Sequence, residues 1–140
     1  MTKAQDIFEH ANQVFLRCGI RSVSMDDVAR ELKISKKTLY RFVKDKNDLV
    51  CKALTFHCSR EVGITCEIIS GNSNAIDELI EISKYVSGQL KQVHPSIHYD
   101  LEKYYPDAWK IFTAHKMEHI YSCMVQNLEK GMKQGLYRTN

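Results

Sequence analysis

Proline and glycine are scarce in this chain of 140 residues, at two and six respectively. Both interrupt regular structure, so their scarcity leaves long unbroken segments and favours helices. No stretch approaches 18 consecutive apolar residues, so no membrane span is expected. The opening MTKAQD lacks an apolar run with a small-residue cleavage site, so it does not read as a secretory signal, and a cytoplasmic location is expected. The five cysteines, Cys18, Cys51, Cys58, Cys66 and Cys123, are odd in number and include no Cys-x-x-Cys pair. A disulfide framework or zinc knuckle is therefore not expected, and the thiols read as reduced and mostly buried. A glycine-rich phosphate loop, a Glu-flanked zincin pattern and a nucleophile–base pair at a placeable spacing are also missing, so the chain is not expected to be an enzyme or to hold a cofactor or metal. No strand-like alternation of useful length, internal repeat or low-complexity segment occurs.

What is present is apolar residue, 44% of the chain, and an uneven distribution of charge. The net charge is only +3, but residues 1–50 carry 10 basic against 7 acidic groups while residues 51–140 are balanced at 10 against 10. Within 30–46 the count is 7 against 2. A local basic patch on an otherwise neutral chain suits a reader of the phosphate backbone.

Helical spacing and capping residues divide the chain. A first helix is expected over 3–18, with Thr2 and Gln5 as a capping box and Ile7, Phe8, Ala11, Val14, Phe15 and Cys18 as its apolar stripe, ending at Gly19. Ser24 with Asp27 opens a short helix over about 25–32, and Ser35 caps another over about 36–43. Asp45 with Asp48 starts a fourth that runs to about Ser70. Asn74 with Asp77 starts a fifth, whose Ile76, Leu79, Ile80, Ile82, Tyr85, Val86 and Leu90 form a broad apolar face. A short helix over about 97–104 follows, and Pro106 opens a single long helix to about Lys133.

The stretch 26–43 has the pattern of a helix-turn-helix. Ala29 is the small residue where two short helices cross, and Val28, Leu32, Ile34, Leu39 and Phe42 seal the pair onto the first helix. Lys36, Lys37, Thr38, Tyr40, Arg41 and Lys44 then form a free face suited to a major groove. An ordinary three-helix core with a solvated basic face has the same spacing.

The residues 34–49, ISKKTLYRFVKDKNDL, resemble the signature of the TetR family of repressors, and the likeness extends upstream through Ile7, Ala11, Phe15, Gly19 and Ser22–Ala29 to cover about 5–49. The resemblance implies an all-α fold. Its parts would be an N-terminal three-helix DNA-binding domain at 1–46 and a helical ligand-binding and dimerisation domain at 47–140, the latter without the last two helices of the family layout. It implies that Lys36 and Lys37 face bases, that Thr38, Tyr40 and Lys46 hold phosphates, and that Ser24, Ser35, Arg41 and Lys44 complete the DNA surface. Two positions depart from the pattern. Lys33 stands where the turn usually has glycine, and Phe42 stands where a histidine or tyrosine often donates to a phosphate.

By the same resemblance, the function is that of a sequence-specific regulator, a homodimer on near-palindromic double-stranded operator DNA and a repressor released by a small ligand. Tyr85, Tyr104, Trp109, Phe112, His115 and His119 are the candidate ligand residues, although such an aromatic stripe also builds an ordinary core. His115 and His119, four apart, are read as packed or solvated rather than metal-bound. Two other readings stay open. One is a helical interaction or adaptor protein with weakened DNA binding, which Lys33 and Phe42 favour. The other is a metal- or redox-responsive regulator using His115, His119 or a cysteine.

Overall fold

The structure is a computed structural model that describes residues 2–139, so the outermost residues of the expected 1–46 and 47–140 division lie outside it. The chain order is α1 (Lys3–Cys18), α2 (Met25–Glu31), α3 (Lys36–Leu39), α4 (Lys46–Gly71), α5 (Ala75–Leu90), α6 (Ile97–Tyr104), α7 (Pro106–His115), a π turn (Lys116–Ile120) and α8 (Tyr121–Lys133). No strand occurs among the described residues, as the all-α expectation requires.

The helix starts follow the capping chemistry. Thr2 and Gln5 exchange reciprocal bonds at 3.0 and 3.2 Å, and Ser24 and Asp27 do the same at 2.9 and 3.1 Å. Ser35 Oγ accepts from the Thr38 amide, Asp45 from the Asp48 amide, and Asn74 from the amides of Ile76 and Asp77. Two expectations are corrected and a third is refined. Helix α3 stops at Leu39 rather than near Val43, because the Arg41 and Phe42 amides turn back to Thr38 and Leu39 in tighter i→i+3 bonds. The expected helix from Pro106 does run to Lys133, with a π turn inside it where the Tyr121 amide reaches the Lys116 carbonyl. Of the five thiols, none in a disulfide, Cys58 alone is buried, while Cys18 and Cys66 are exposed.

Two compact units divide the chain, one of Met1–Cys58 with Gln92–Phe112, the other of Ser59–Lys91 with Thr113–Asn140. They do not part at residues 46 and 47 as the sequence suggested, because later residues complete the first core. There Ile97, Leu101 and Ala108 join Ile7, Ala11, Val14, Phe15, Val28, Ala29, Leu39, Val43, Leu49 and Val50. Leu39 and Leu49 are fully buried, each contributing about 1.5–3 kcal/mol of transfer free energy.

The second unit is fastened by polar groups. Buried Glu78 accepts from Asn127 Nδ2 at 2.6 Å and from Lys130 Nζ at 2.8 Å, while Asn127 also donates to the Ala75 carbonyl at 3.0 Å. Tyr137 Oη lies 2.9 Å from Asn127 Oδ1, and its ring covers Gly131 so closely that an added Cβ would fall inside it. The apolar face expected on α5 exists but is bare: Ile76, Leu79, Ile80, Val86 and Leu90 are all exposed. Ala75 and Glu78 are the buried residues of that helix.

Candidate nucleic-acid interface

The turn between α2 and α3 is set by one residue. Lys33 has φ 57, the only positive value outside glycine among the described residues. That conformation lets the Lys33 amide reach Arg30 O at 3.1 Å and the Ile34 amide reach Ala29 O at 3.0 Å, closing α2. Lysine thus performs the service usually left to glycine, at a cost of about 1–2 kcal/mol. Ile34 and Leu32 then pack against the core while Ser35 starts α3.

Helix α3 is anchored by Leu39 and turns its other side outward. Of the nine residues expected on the DNA surface, Ser24, Ser35, Lys36, Lys37, Tyr40, Arg41 and Lys44 are exposed, and Thr38 and Lys46 are half-buried. Lys36 Nζ pairs with Asp26 Oδ1 at 3.1 Å, joining α3 to the first turn of α2. Both partners are exposed, so the pair is weak and yields to a stronger anion. Ser24 and Ser35 are already engaged as helix caps, and Thr38 Oγ1 lies 2.9 Å from Ser35 Oγ. Hydrogen bonding to Ser24 holds the Asp27 carboxyl below the usual carboxylate range.

Lys46 is turned toward the loop before α2, with Nζ 3.5 Å from the Arg21 carbonyl and 5.8 Å from the Tyr105 ring centre. Burial lowers its pKa from the ordinary lysine value, while Asp100 and Asp27 act in the opposite direction. Sequence spacing does not single out Arg21. Its guanidinium carbon lies 4.0 Å over the Tyr104 ring, Nη1 donates to Tyr104 Oη, and its amide donates to Asp100 Oδ2 at 3.3 Å. No local pattern marks that contact, because its partners are 79 and 83 positions away.

The six candidate ligand residues fall into both units. Tyr104, Trp109 and Phe112 belong to the first, and Tyr85, His115 and His119 to the second. Trp109 and Phe112 stack at 5.5 Å, with His98 edge-on to Phe112 at 5.2 Å. His115 and His119 stack at 5.3 Å across the start of the π turn. His119 Nε2 lies 2.7 Å from Thr65 Oγ1, and His115 Nε2 lies 3.6 Å from Glu61 Oε1. An open concavity of about 620 Å³ runs along α5, lined by Leu79, Ile80, Ser83, Lys84, Ser87, Gly88 and Lys91, and includes none of the six. Among the described residues no group of three or more His, Cys, Asp or Glu could hold a metal ion, and no helix is long and apolar enough to cross a membrane.

Comparison with known proteins bears on the same segment. Residues 7–52 match the bacterial regulatory proteins of the tetR family. Proteins described as HTH-type transcriptional regulators in Staphylococcus aureus strains USA300 and COL are each 47% identical to the chain over 45 residues. That match covers 32% of this chain and 24% of each relative, so it spans about a quarter of their length. No solved structure matches the chain.

Proposed function

We propose that the chain is a sequence-specific, DNA-binding transcriptional regulator, on the premise that residues 7–52, which match the bacterial regulatory proteins of the tetR family, form a helix-turn-helix DNA reader. The observation that carries this reading is the exposed basic side of α3 and the turn after it, mounted on a buried Leu39 behind a helix-turn-helix of family sequence. Lys36 and Lys37 read base edges in the major groove, and only Lys36 has an exposed ion pair to give up on the way. Thr38, Tyr40 and Lys46 hold backbone phosphates, with Ser24, Ser35, Arg41 and Lys44 completing the surface.

The finer reading is of a homodimeric repressor. Two copies place their α3 helices about 34–36 Å apart on a near-palindromic operator. A small, partly apolar ligand then favours a second state with lower DNA affinity. The bare α5 face supports self-association, and the ring pairs Trp109–Phe112 in the first unit and His115–His119 in the second each support a ligand contact within their own unit.

The test is binding to random-sequence duplex DNA at several salt concentrations, followed by selection and sequencing of the bound pool. Salt-dependent binding with an enriched palindrome is expected. An enriched single half-site would keep the DNA reader and remove the dimer. Absence of binding at low salt would overturn the proposal in favour of an interaction protein.

A further inference from the structure

We infer that α6 adds a second phosphate-binding surface to the DNA reader, formed by Arg21 and Lys103 and continuous with Lys46; this rests on the DNA-binding reading above. All the residues concerned lie in the first compact unit. Arg21 precedes α2 by four residues, and its carbonyl accepts from Lys46 Nζ, so the Arg21 loop and the start of α4 form one surface. Helix α6 mounts the remaining cation. Lys103 Nζ donates to Tyr99 Oη at 2.8 Å and stands 5.2 and 5.4 Å from the ring centres of Tyr99 and Tyr104. The same Tyr104 ring lies beneath Arg21.

Three features separate this cluster from an ordinary solvated face. First, Arg21, Lys46 and Lys103 form no close ion pair: none has a carboxylate within 4.0 Å of its charged nitrogens among the described residues, whereas Lys36, Lys52 and Lys130 each do. Second, Asp100, the acidic residue beneath, is 6% exposed and engaged by the Arg21 backbone amide, so it supports the loop and acts on Lys46 without forming an ion pair with it. Third, the mounts are aromatic. Tyr99 and Tyr104 meet edge to face at 6.2 Å, which limits the positions available to Arg21 and Lys103 before any anion arrives. A group of pre-positioned, unpaired cations fits repeated phosphates, and the surface that reaches it through Lys46 is the one assigned to DNA backbone. The partner is therefore the phosphate of the duplex flanking the half-site, contacted without regard to sequence.

The experiment is the salt dependence of binding to random-sequence duplex, for the full chain and its variants Lys103→Gln, Arg21→Gln, Arg21→Lys and Lys133→Gln. Removing one phosphate-binding cation lowers the slope of log affinity against log salt by about 0.9. Lys103→Gln and Arg21→Gln should each show that decrease. Arg21→Lys should retain the slope, because the charge remains although the planar stacking on Tyr104 is weakened; a purely structural strut would make the lysine and glutamine variants alike. Lys133→Gln, at the end of α8, should leave the slope unchanged. An unchanged slope in Lys103→Gln with an unchanged melting temperature overturns the inference and leaves the DNA reader standing. An equal fall in Lys133→Gln would also overturn it, by reducing the effect to net charge. If the unmodified chain binds no duplex, both readings fall together.

Discussion

Lys33 and Gly135 do the same work at the ends of α2 and α8, with φ 57 and φ 73, and the same pair of backward amide bonds closes each helix. Glycine enters this conformation without strain and lysine does not. Lys33→Gly should therefore raise stability by about 1 kcal/mol, less what the freer unfolded chain takes back, seen as a higher urea midpoint. A lower midpoint would mean that the lysine stem makes a compensating contact. Lys36 tests recognition rather than folding. Lys36→Ala should weaken binding to a selected site by about 1–3 kcal/mol and relax its sequence preference. Its melting curve should barely move, since the exposed pair with Asp26 holds little. At this scale the sequence was highly legible. The cap residues Thr2, Ser24, Ser35 and Asn74 act within three positions of themselves, so their partners can be read from spacing. Arg21 was not legible, because its role depends on Tyr104 and Asp100, which arrive from another part of the chain.

Among the elements, α8 has the tightest packing restriction. The Tyr137 ring occupies the space where any side chain at position 131 would begin, and the same ring carries the hydroxyl that meets Asn127. Gly131→Ala should lower stability by about 1–3 kcal/mol in a urea melt, despite alanine's better helix propensity. A gain in stability would show that the ring swings away freely. The π turn supplies a second test. Burial lowers the His119 pKa from its ordinary value, with His115 adding to the effect and Glu61 opposing it. A histidine whose folded pKa is lowered binds its proton more weakly when folded. Stability is then full above the unfolded value of about 6.5 and declines as pH falls through it toward the lower folded value. Thermal melts from neutral to mildly acidic pH should show that decline, and His119→Gln should flatten it; equal slopes in both proteins would place the sensitivity elsewhere. Neither the π turn nor the early stop of α3 was legible. Apolar spacing runs through both regions, and no glycine or proline marks either feature.

For the whole molecule, burial was the least legible property. The apolar period of α5 was read correctly as a face, but spacing says only that a face exists, not that this chain covers it. Met117, Tyr121, Met124 and Leu128 near the end are exposed as well. Exposed apolar side chains in such number favour self-association. Sedimentation should show an average mass that rises with protein concentration, and Leu79→Lys with Ile80→Lys should suppress the rise; a constant monomer mass would leave the face without a second copy as its cover. The division into units was hidden for a related reason, since Ile97, Leu101 and Ala108 complete a core begun some 90 positions earlier at Ile7. That interleaving fixes an order during synthesis. When the ribosome has released Cys58, every residue of the helix-turn-helix face has been made, yet the core beneath them still lacks its closing side chains. At about 5–20 residues per second, roughly 3–11 s pass before Phe112 follows. Throughout that interval the nascent DNA reader is an open shell whose apolar interior faces water.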